Sequence, residues 1–441
     1  MRLRGERAFG GILAGQLVSS VGSAMTRFGL VIWTLAETGD TTAYSLLLLA
    51  SFLPLGLGAL VAGPLVDRWD RRRVMIVANA VASLSTLAIA LLYVTESLAT
   101  WHLYVALFVN GVANAFVLPA FDASVPLLVR KEQLGRAAGL SQMIAGLEMI
   151  LGPALAGVVL GAFGLGIIFI VDFVTFGASI AALLLAVIPS PPRETEEETA
   201  PGIVREFAAG WGYLRERPPL MLLLALVTAA MLLMPGFGFA LCTPLVLSFA
   251  DEQAAGMVLA SFGFGALASG VLLAAWGGPQ RRMGGVAVAL VGAAFAMVLI
   301  GAREHVVVTA IGVAAIGLSV TTMMALSRVI WQVKVAPNFL GRVFSLRIVF
   351  GVGAQCLGLV LAAPLAQGVF EPLMVSGGAL ANSVGVVLGV GAGRGMGLMY
   401  AVVGMVVLAL AALCWLLPGL RRIEDILPDM VPPAVGDDAS R

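Results

Sequence analysis

Charge is scarce in this chain. Only 12% of its 441 residues are Asp, Glu, Lys or Arg, where a soluble globular chain carries about a quarter. That leaves too little polar surface to cover a water-soluble globule. The net charge is +1, so no strong field draws nucleic acid. Cysteine is also rare. Cys242, Cys356 and Cys414 lie in apolar stretches, at spacings that suit neither a zinc site nor a disulfide framework. The sequence has no Walker motif, which argues against an ATPase. No cleavable signal peptide is expected, because the basic start with Arg2, Arg4 and Arg7 leads into a span too long for a signal core.

What is present is apolar. Hydrophobic residues make up 60% of the chain and the mean hydropathy is +1.01. They come in blocks of about 20 residues or longer, enough to cross roughly 30 Å of hydrocarbon as a helix. The alternation of a membrane barrel, about ten residues per strand, is missing. The blocks predict spans at 9–36, 43–66, 74–95, 101–128, 137–163, 166–189, 219–249, 254–277, 284–301, 305–334, 343–366 and 396–418. The expected fold is therefore an all-α integral membrane protein with twelve transmembrane helices in two pseudo-symmetric six-helix bundles. Residues 1–189 would form the first bundle and 218–418 the second. A polar linker at 190–217, with the run Arg193 to Glu198, and a polar tail at 419–441 complete the division.

Lys and Arg predict the orientation. Counting from inside, they crowd the loops after even-numbered spans, while the opposite side holds only Arg303 and Arg394. Both termini are expected in the cytoplasm of a bacterial cell, with the spans in its inner membrane. An internal repeat supports two related halves. Leu134-Gly135-Arg136 after span four recurs as Leu340-Gly341-Arg342 after span ten. Two parallel repeats with a site between them is a transporter plan. Residues 367–395 are Gly-rich, begin near Glu371 and end near Arg394. They predict an external loop with a short interfacial or re-entrant segment.

Two motifs carry a family likeness. Gly63-Pro64-Leu65-Val66-Asp67-Arg68 followed by Asp70, Arg71, Arg72 and Arg73 resembles the loop-2/3 signature of the major facilitator superfamily. Asp70 stands where that signature usually has glycine. An acid at a helix end can pair with a neighbouring bundle and let go when the bundles rock, so Gly63, Asp67, Arg68, Arg71 and Arg72 are gating candidates. The alternative is that the arginines only anchor topology. Gly152-Pro153-Ala154-Leu155-Ala156-Gly157 resembles the superfamily's antiporter signature, which goes with export. Its alternative is ordinary close packing through small residues. Together with Pro119-Ala120-Phe121 and the two Leu-Gly-Arg loops, the chain resembles the macrolide-efflux and enterobactin-exporter branch. That resemblance implies proton-driven antiport with no nucleotide or metal cofactor.

Charges inside spans cost roughly 2.5–3.5 kcal/mol each at a helix centre, which marks them as functional candidates. Glu148, near the middle of span five, is the leading candidate for proton or substrate coupling. A protonated glutamate bridging helices is the alternative. Asn110, Asn114 and Asp122 share one stripe of span four. The repeat offset makes Arg328 the equivalent of Asp122, so the two could pair across the cytoplasmic end when the cavity faces outward; the alternatives are solvation by a wide cytoplasmic vestibule and separate hydrogen bonds. Arg27 in span one faces either an anionic substrate group or Glu148. Asp172 in span six reads as structural, and Arg347 as within reach of the cytoplasmic interface. Trp33, Phe237, Phe239 and Trp331 are candidates for an apolar cavity wall, or for packing. His102 and His305 read as interfacial.

The reading that results is a monomeric, proton-coupled exporter of amphipathic small molecules such as drugs, macrolides or natural products, with the bilayer and the substrate as its partners. A siderophore exporter and a lipid or lysophospholipid flippase are the alternatives of the same fold. A non-transporting membrane partner is the alternative of another class.

Overall fold

The structure is a computed structural model. It describes residues 5–129, 134–188, 203–276, 278–336 and 339–430. The charged run from Arg193 to Glu198 and residues 431–441 lie outside the described residues, as do the side chains of Gly63, Asp67 and Arg68.

The first half comprises α1 (Glu6–Thr38), α2 (Thr41–Arg68), α3 (Arg71–Val94), α4 (Thr100–Leu128), α5 (Leu134–Phe163) and α6 (Leu165–Leu185). A short α7 (Ile203–Arg215) precedes the second half. There α8 (Pro218–Met231), a π turn at Leu232–Phe237 and α9 (Gly238–Leu247) make one span. Then come α10 (Glu252–Trp276), α11 (Arg282–Ala302), α12 (Val306–Lys334) and α13 (Leu340–Leu365). A second π turn, Ala366–Phe370, carries α13 into α14 (Glu371–Met374). The chain closes with α15 (Gly385–Leu388), α16 (Arg394–Leu416), α17 (Pro418–Arg421) and α18 (Ile423–Ile426). Among the described residues, eleven helices are long and apolar enough to cross a membrane, and α2, with its apolar stretch Thr42–Gly58, makes the twelfth.

Local chemistry sets several helix ends. Asp40 caps α2 by accepting from the Thr42 amide at 2.7 Å, and Asp70 caps α3 by accepting from the Arg73 amide at 2.8 Å. Each satisfies a donor that the first turn leaves open. Pro235 supplies no amide hydrogen, and the helix widens around it into the π turn.

Three segments differ from the sequence expectation. The polar segment before the second half holds α7, whose Tyr213 stacks on Phe339 at 4.6 Å and accepts from the Ala336 amide at 3.1 Å. Its polarity reflects a helix lying on the end of the bundle rather than a free strand of linker. Span eleven continues as helix through Met374, so 367–374 is not loop. There Glu371 accepts from the Met396 amide at the start of α16 at 3.3 Å. Arg394, 7% exposed, pairs with Glu304 at 2.8 Å. The tail is docked up to residue 430. Buried Lys334 donates to the carbonyls of Glu424 at 2.5 Å and Leu427 at 2.6 Å and pairs with Asp429 at 2.7 Å.

The two halves repeat one plan. Within the first half, α2 packs on α4, and α3 on α4 and α6; within the second, α10 packs on α12, and α11 on α12 and α16. Helices α4 and α12 are both 29 residues long and keep the offset that relates Leu134 to Leu340. Asp122 and Arg328 are therefore equivalent positions. The halves meet through α5 on α10 and α2 on α13, which is one contact made twice across the pseudo-symmetry.

Small residues permit that approach. A Cβ on Gly157 would sit 2.9 Å from the Glu252 carbonyl oxygen, and one on Gly256 would collide with the Pro153 carbonyl. Near the end opposite the termini, the Tyr44 hydroxyl of α2 donates to the Phe239 carbonyl of α9 at 3.2 Å. Within the first half, Gly15, Gly22 and Gly29 lie on one face of α1 at heptad spacing. A Cβ on Gly22 would lie 3.2 Å from the Asp172 Cα, and one on Gly15 3.2 Å from the Ser179 Cα, so α1 lies close against α6.

Gly256→Val is expected to wedge α10 from α5 and cost about 1–3 kcal/mol, the usual range for overpacking. The check is a fall in apparent Tm in detergent. Val271→Ala, at a 68% exposed position of the same helix, should leave it unchanged.

Candidate functional site

A cavity of about 290 Å³ lies within the first six helices. It runs from Leu30 and Ile89 to Gln16 and Asp122, the end nearer the termini. Gln16, Ser20, Ser23 and Arg27 recur at helical spacing on α1, so one polar stripe of an otherwise apolar helix faces this space. Asn110, Asn114 and Asp122 of α4 and Glu148 of α5 line it too. A larger groove of about 820 Å³ between α3 and α4 is lined by Val77, Val81, Phe108 and Val112, with Asp70 and Arg73 at the start of α3 as its charged residues; its apolar outward face is that of a lipid contact.

The strongest contact in the cavity joins α1 to α5. Arg27 Nη2 donates to Glu148 Oε1 at 2.9 Å. Both side chains are about a third exposed, at 33% and 31%, so the pair sits in the cavity wall. Of the two partners that the sequence offers Arg27, an anionic substrate group or Glu148, the structure shows Glu148. Asn110 and Asn114 donate to the carbonyls one turn back, of Ala106 and Asn110, at 3.0 and 3.1 Å. Their amide oxygens are left to face the cavity. Buried Gln16 Nε2 has no hydrogen-bond partner among the described residues.

Asp172 also lines this cavity, which sequence reasoning missed. It is 1% exposed and accepts from Ser23 Oγ at 3.1 Å and Thr86 Oγ1 at 3.0 Å. The signal was present in the glycines of α1, which put α6 directly behind Ser23 and Arg27.

Other candidates are placed elsewhere. Phe237 and Trp331 are 7% and 0% exposed and belong to the apolar core of the second half. They do not line this cavity, because aromatic rings of this size bury more surface between helices than against a wet space. Asp122 and Arg328 are both exposed, and no ion pair joins them. The Arg347 guanidinium stays over the rings of Phe344 and Trp331, at 4.8 and 5.3 Å. Arg72 donates to the carbonyls of Leu183 and Leu184 at 2.7 and 2.6 Å, closing the end of α6. Gly152 abuts Ala24 of α1 and Gly157 abuts α10, so the Gly152-Pro153-Gly157 set sits where α5 crosses both.

A twelve-span, two-half fold with this internal offset matches a family model described as Major Facilitator Superfamily over residues 12–359. The chain belongs to the major facilitator superfamily. It is 29% identical over 380 residues to macrolide efflux protein A of Streptococcus pyogenes, which covers 83% of this chain and 91% of that protein. It is 30% identical over 310 residues to macrolide efflux protein A of Enterococcus faecalis, 68% of this chain and 93% of that one. The multidrug efflux pump Tap of Mycobacterium tuberculosis is 26% identical over 368 residues, 80% of this chain and 86% of that one. Among solved structures, a bacterial homologue of the lysosomal transporter Spinster superposes with a TM-score of 0.64 at 16% identity, covering 95% and 98%. A POT family transporter reaches 0.70 at 11%, covering 93% and 96%. These structures share the fold. The superfamily and its efflux relatives make the chain a membrane-embedded, multi-pass transporter.

Because the ion pair is partly solvated, its stability contribution is modest. Double-mutant cycles with Arg27→Met and Glu148→Gln should give a coupling of about 1 kcal/mol in thermal unfolding. Exchanging the two charges should restore the wild-type Tm to within a few degrees.

Proposed function

We propose that this transporter is a proton-coupled exporter of amphipathic small molecules that works by alternating access in the bacterial inner membrane. The observation that carries the reading is the Arg27–Glu148 pair in the wall of a polar cavity. A carboxylate at membrane depth is costly to keep and is a natural proton carrier. The efflux names of the relatives favour export and favour macrolides or comparable natural products as substrates.

In this cycle the cavity opens towards the termini, on the cytoplasmic side, and takes up a substrate. Gln16, Asn110 and Asn114 offer hydrogen bonds, and the apolar wall takes the rest of the molecule. Substrate displaces the Glu148 proton to the cytoplasm; after the cavity has turned outward and released the substrate, a proton from the outer side binds Glu148 and loosens its hold on Arg27 for the return. In each direction the halves rock about the α5–α10 and α2–α13 contacts, with Gly152, Pro153 and Gly157 as the tight joint and Asp67 with its basic neighbours as the gate. When the cytoplasmic side closes, Asp122 and Arg328 approach and pair. The proton gradient supplies the energy, the protein acts as a monomer, and neither nucleotide nor metal is required.

The test uses everted vesicles of a pump-deficient host and a radiolabelled macrolide. Glu148→Gln should lower accumulation driven by a pH gradient at least about tenfold, since glutamine cannot carry the proton, while downhill exchange persists. Equal accumulation in the variant would overturn proton coupling at Glu148. Asp122→Arg combined with Arg328→Asp should recover transport that either single change abolishes.

A further inference from the structure

Arg27 shares one cavity with two carboxylates. One is Glu148, at 2.9 Å and part-exposed to the cavity. The other is Asp172, buried on α6 and held by Ser23 and Thr86. Ser23 precedes Arg27 by one turn on the same stripe of α1, so the helix that carries the arginine already touches Asp172. The close seating of Gly22 on α6 keeps these groups together. A carboxylate this buried needs compensating donors, and the hydroxyls of Ser23 and Thr86 supply two.

We propose that Arg27 is shared, exchanging between Glu148 and Asp172 as Glu148 gains and loses its proton, with Asp172 as the ionised positioning residue that makes the exchange favourable. The proposal rests on Glu148 being the coupling acid. When Glu148 is ionised, it holds the guanidinium at the cavity wall. When it is protonated, Asp172 becomes the nearest anion and draws the guanidinium inwards. The proton that binds Glu148 is thus converted into a displacement of positive charge away from the cavity. Substrate meets a wall bearing an ion pair in one state and a neutral acid in the other.

Few other charges intrude. At this depth α1 brings Arg27, α4 brings Asp122 nearer the cavity mouth, α5 brings Glu148 and α6 brings Asp172. Helices α2, α3 and α10 carry charge only at their ends, through Asp67 and Arg68, through Arg71, Arg72 and Arg73, and through Glu252.

The test is a pH titration of the full chain in lipid nanodiscs by infrared difference spectroscopy of the carboxyl bands. Glu148→Gln should abolish the band of the cavity acid. Asp172→Asn should keep that band but move its midpoint towards acid by about one pH unit, because Arg27 then has a single partner and Glu148 holds it longer. Thr86→Val removes a hydroxyl from Asp172 and keeps the carboxylate. It should move the midpoint the other way, because a less satisfied Asp172 pulls harder on Arg27. General loosening of the fold would not produce opposite signs, and Thr86→Val carries the test should Asp172→Asn fail to fold. An unchanged midpoint in every folded variant overturns the sharing. Loss of the band in Asp172→Asn overturns the positioning role, since Asp172 would then carry the proton itself. A band unaffected by Glu148→Gln overturns Glu148 as the coupling acid and leaves a different failure on record.

Discussion

Hydrocarbon offers a charge no solvent, and the first half of this protein is arranged around that fact. Away from the helix ends, Arg27, Asp122, Glu148 and Asp172 are the acidic and basic residues of its spans, and all four line one cavity. Their grouping follows from energy. A pair of opposite charges at 4 Å in a medium of effective dielectric near 20 attracts by about 4 kcal/mol, comparable with the insertion cost of one charge. An isolated carboxylate has no such return. Glu148 meets the requirement through Arg27, Asp172 through the hydroxyls of Ser23 and Thr86, and Asp122 by standing exposed near the cavity mouth. The second half solves the problem differently, since Arg347 lies over aromatic rings and Arg328 is exposed.

The joint between the halves is subject to a second constraint, which is space. Helices in lipid gain nothing from hiding apolar surface from one another, so close contact must come from packing. Gly157 and Gly256 allow backbone to meet backbone where α5 crosses α10. Because the chain is two copies of one plan, the same crossing recurs as α2 on α13. A joint made twice about a pseudo-axis gives the two halves equivalent contacts on either side of it.

Much of the fold was legible because it depends on composition and length. Spans longer than the hydrocarbon thickness announce themselves, and the repeated Leu-Gly-Arg triplet gave the register that aligns α4 with α12. The limits are equally physical. Span eleven was read too short because Pro364, Gly368, Glu371 and Pro372 resemble loop chemistry, whereas the structure absorbs them in a π turn and α14. The helix α7 was hidden because a helix lying on the end of a bundle is polar like a linker. In the site, Arg27 and Glu148 were legible as costly charges. Asp172 was legible as a charge but was read as structural, because hydropathy does not say which neighbour a helix faces. Phe237 and Trp331 were left open between cavity wall and packing for the same reason: an aromatic in an apolar span carries no mark of whether it faces a cavity or a core.

Lys334 shows how an intracellular-looking tail becomes part of a membrane fold. Its ammonium is buried at the end of α12 and is surrounded by oxygen atoms from residues 424, 427 and 429. Glu424 also accepts from the amides of Arg282 and Met283 at 3.2 and 3.3 Å, completing the first turn of α11. The segment from Pro418 to Asp429 therefore works as a buckle across two helix ends. For protein engineering, this marks the frontier between scaffold and appendage. A reporter joined beyond residue 430 leaves the buckle fastened, while a chain cut at Leu417 would strand an ammonium and an open helix end together.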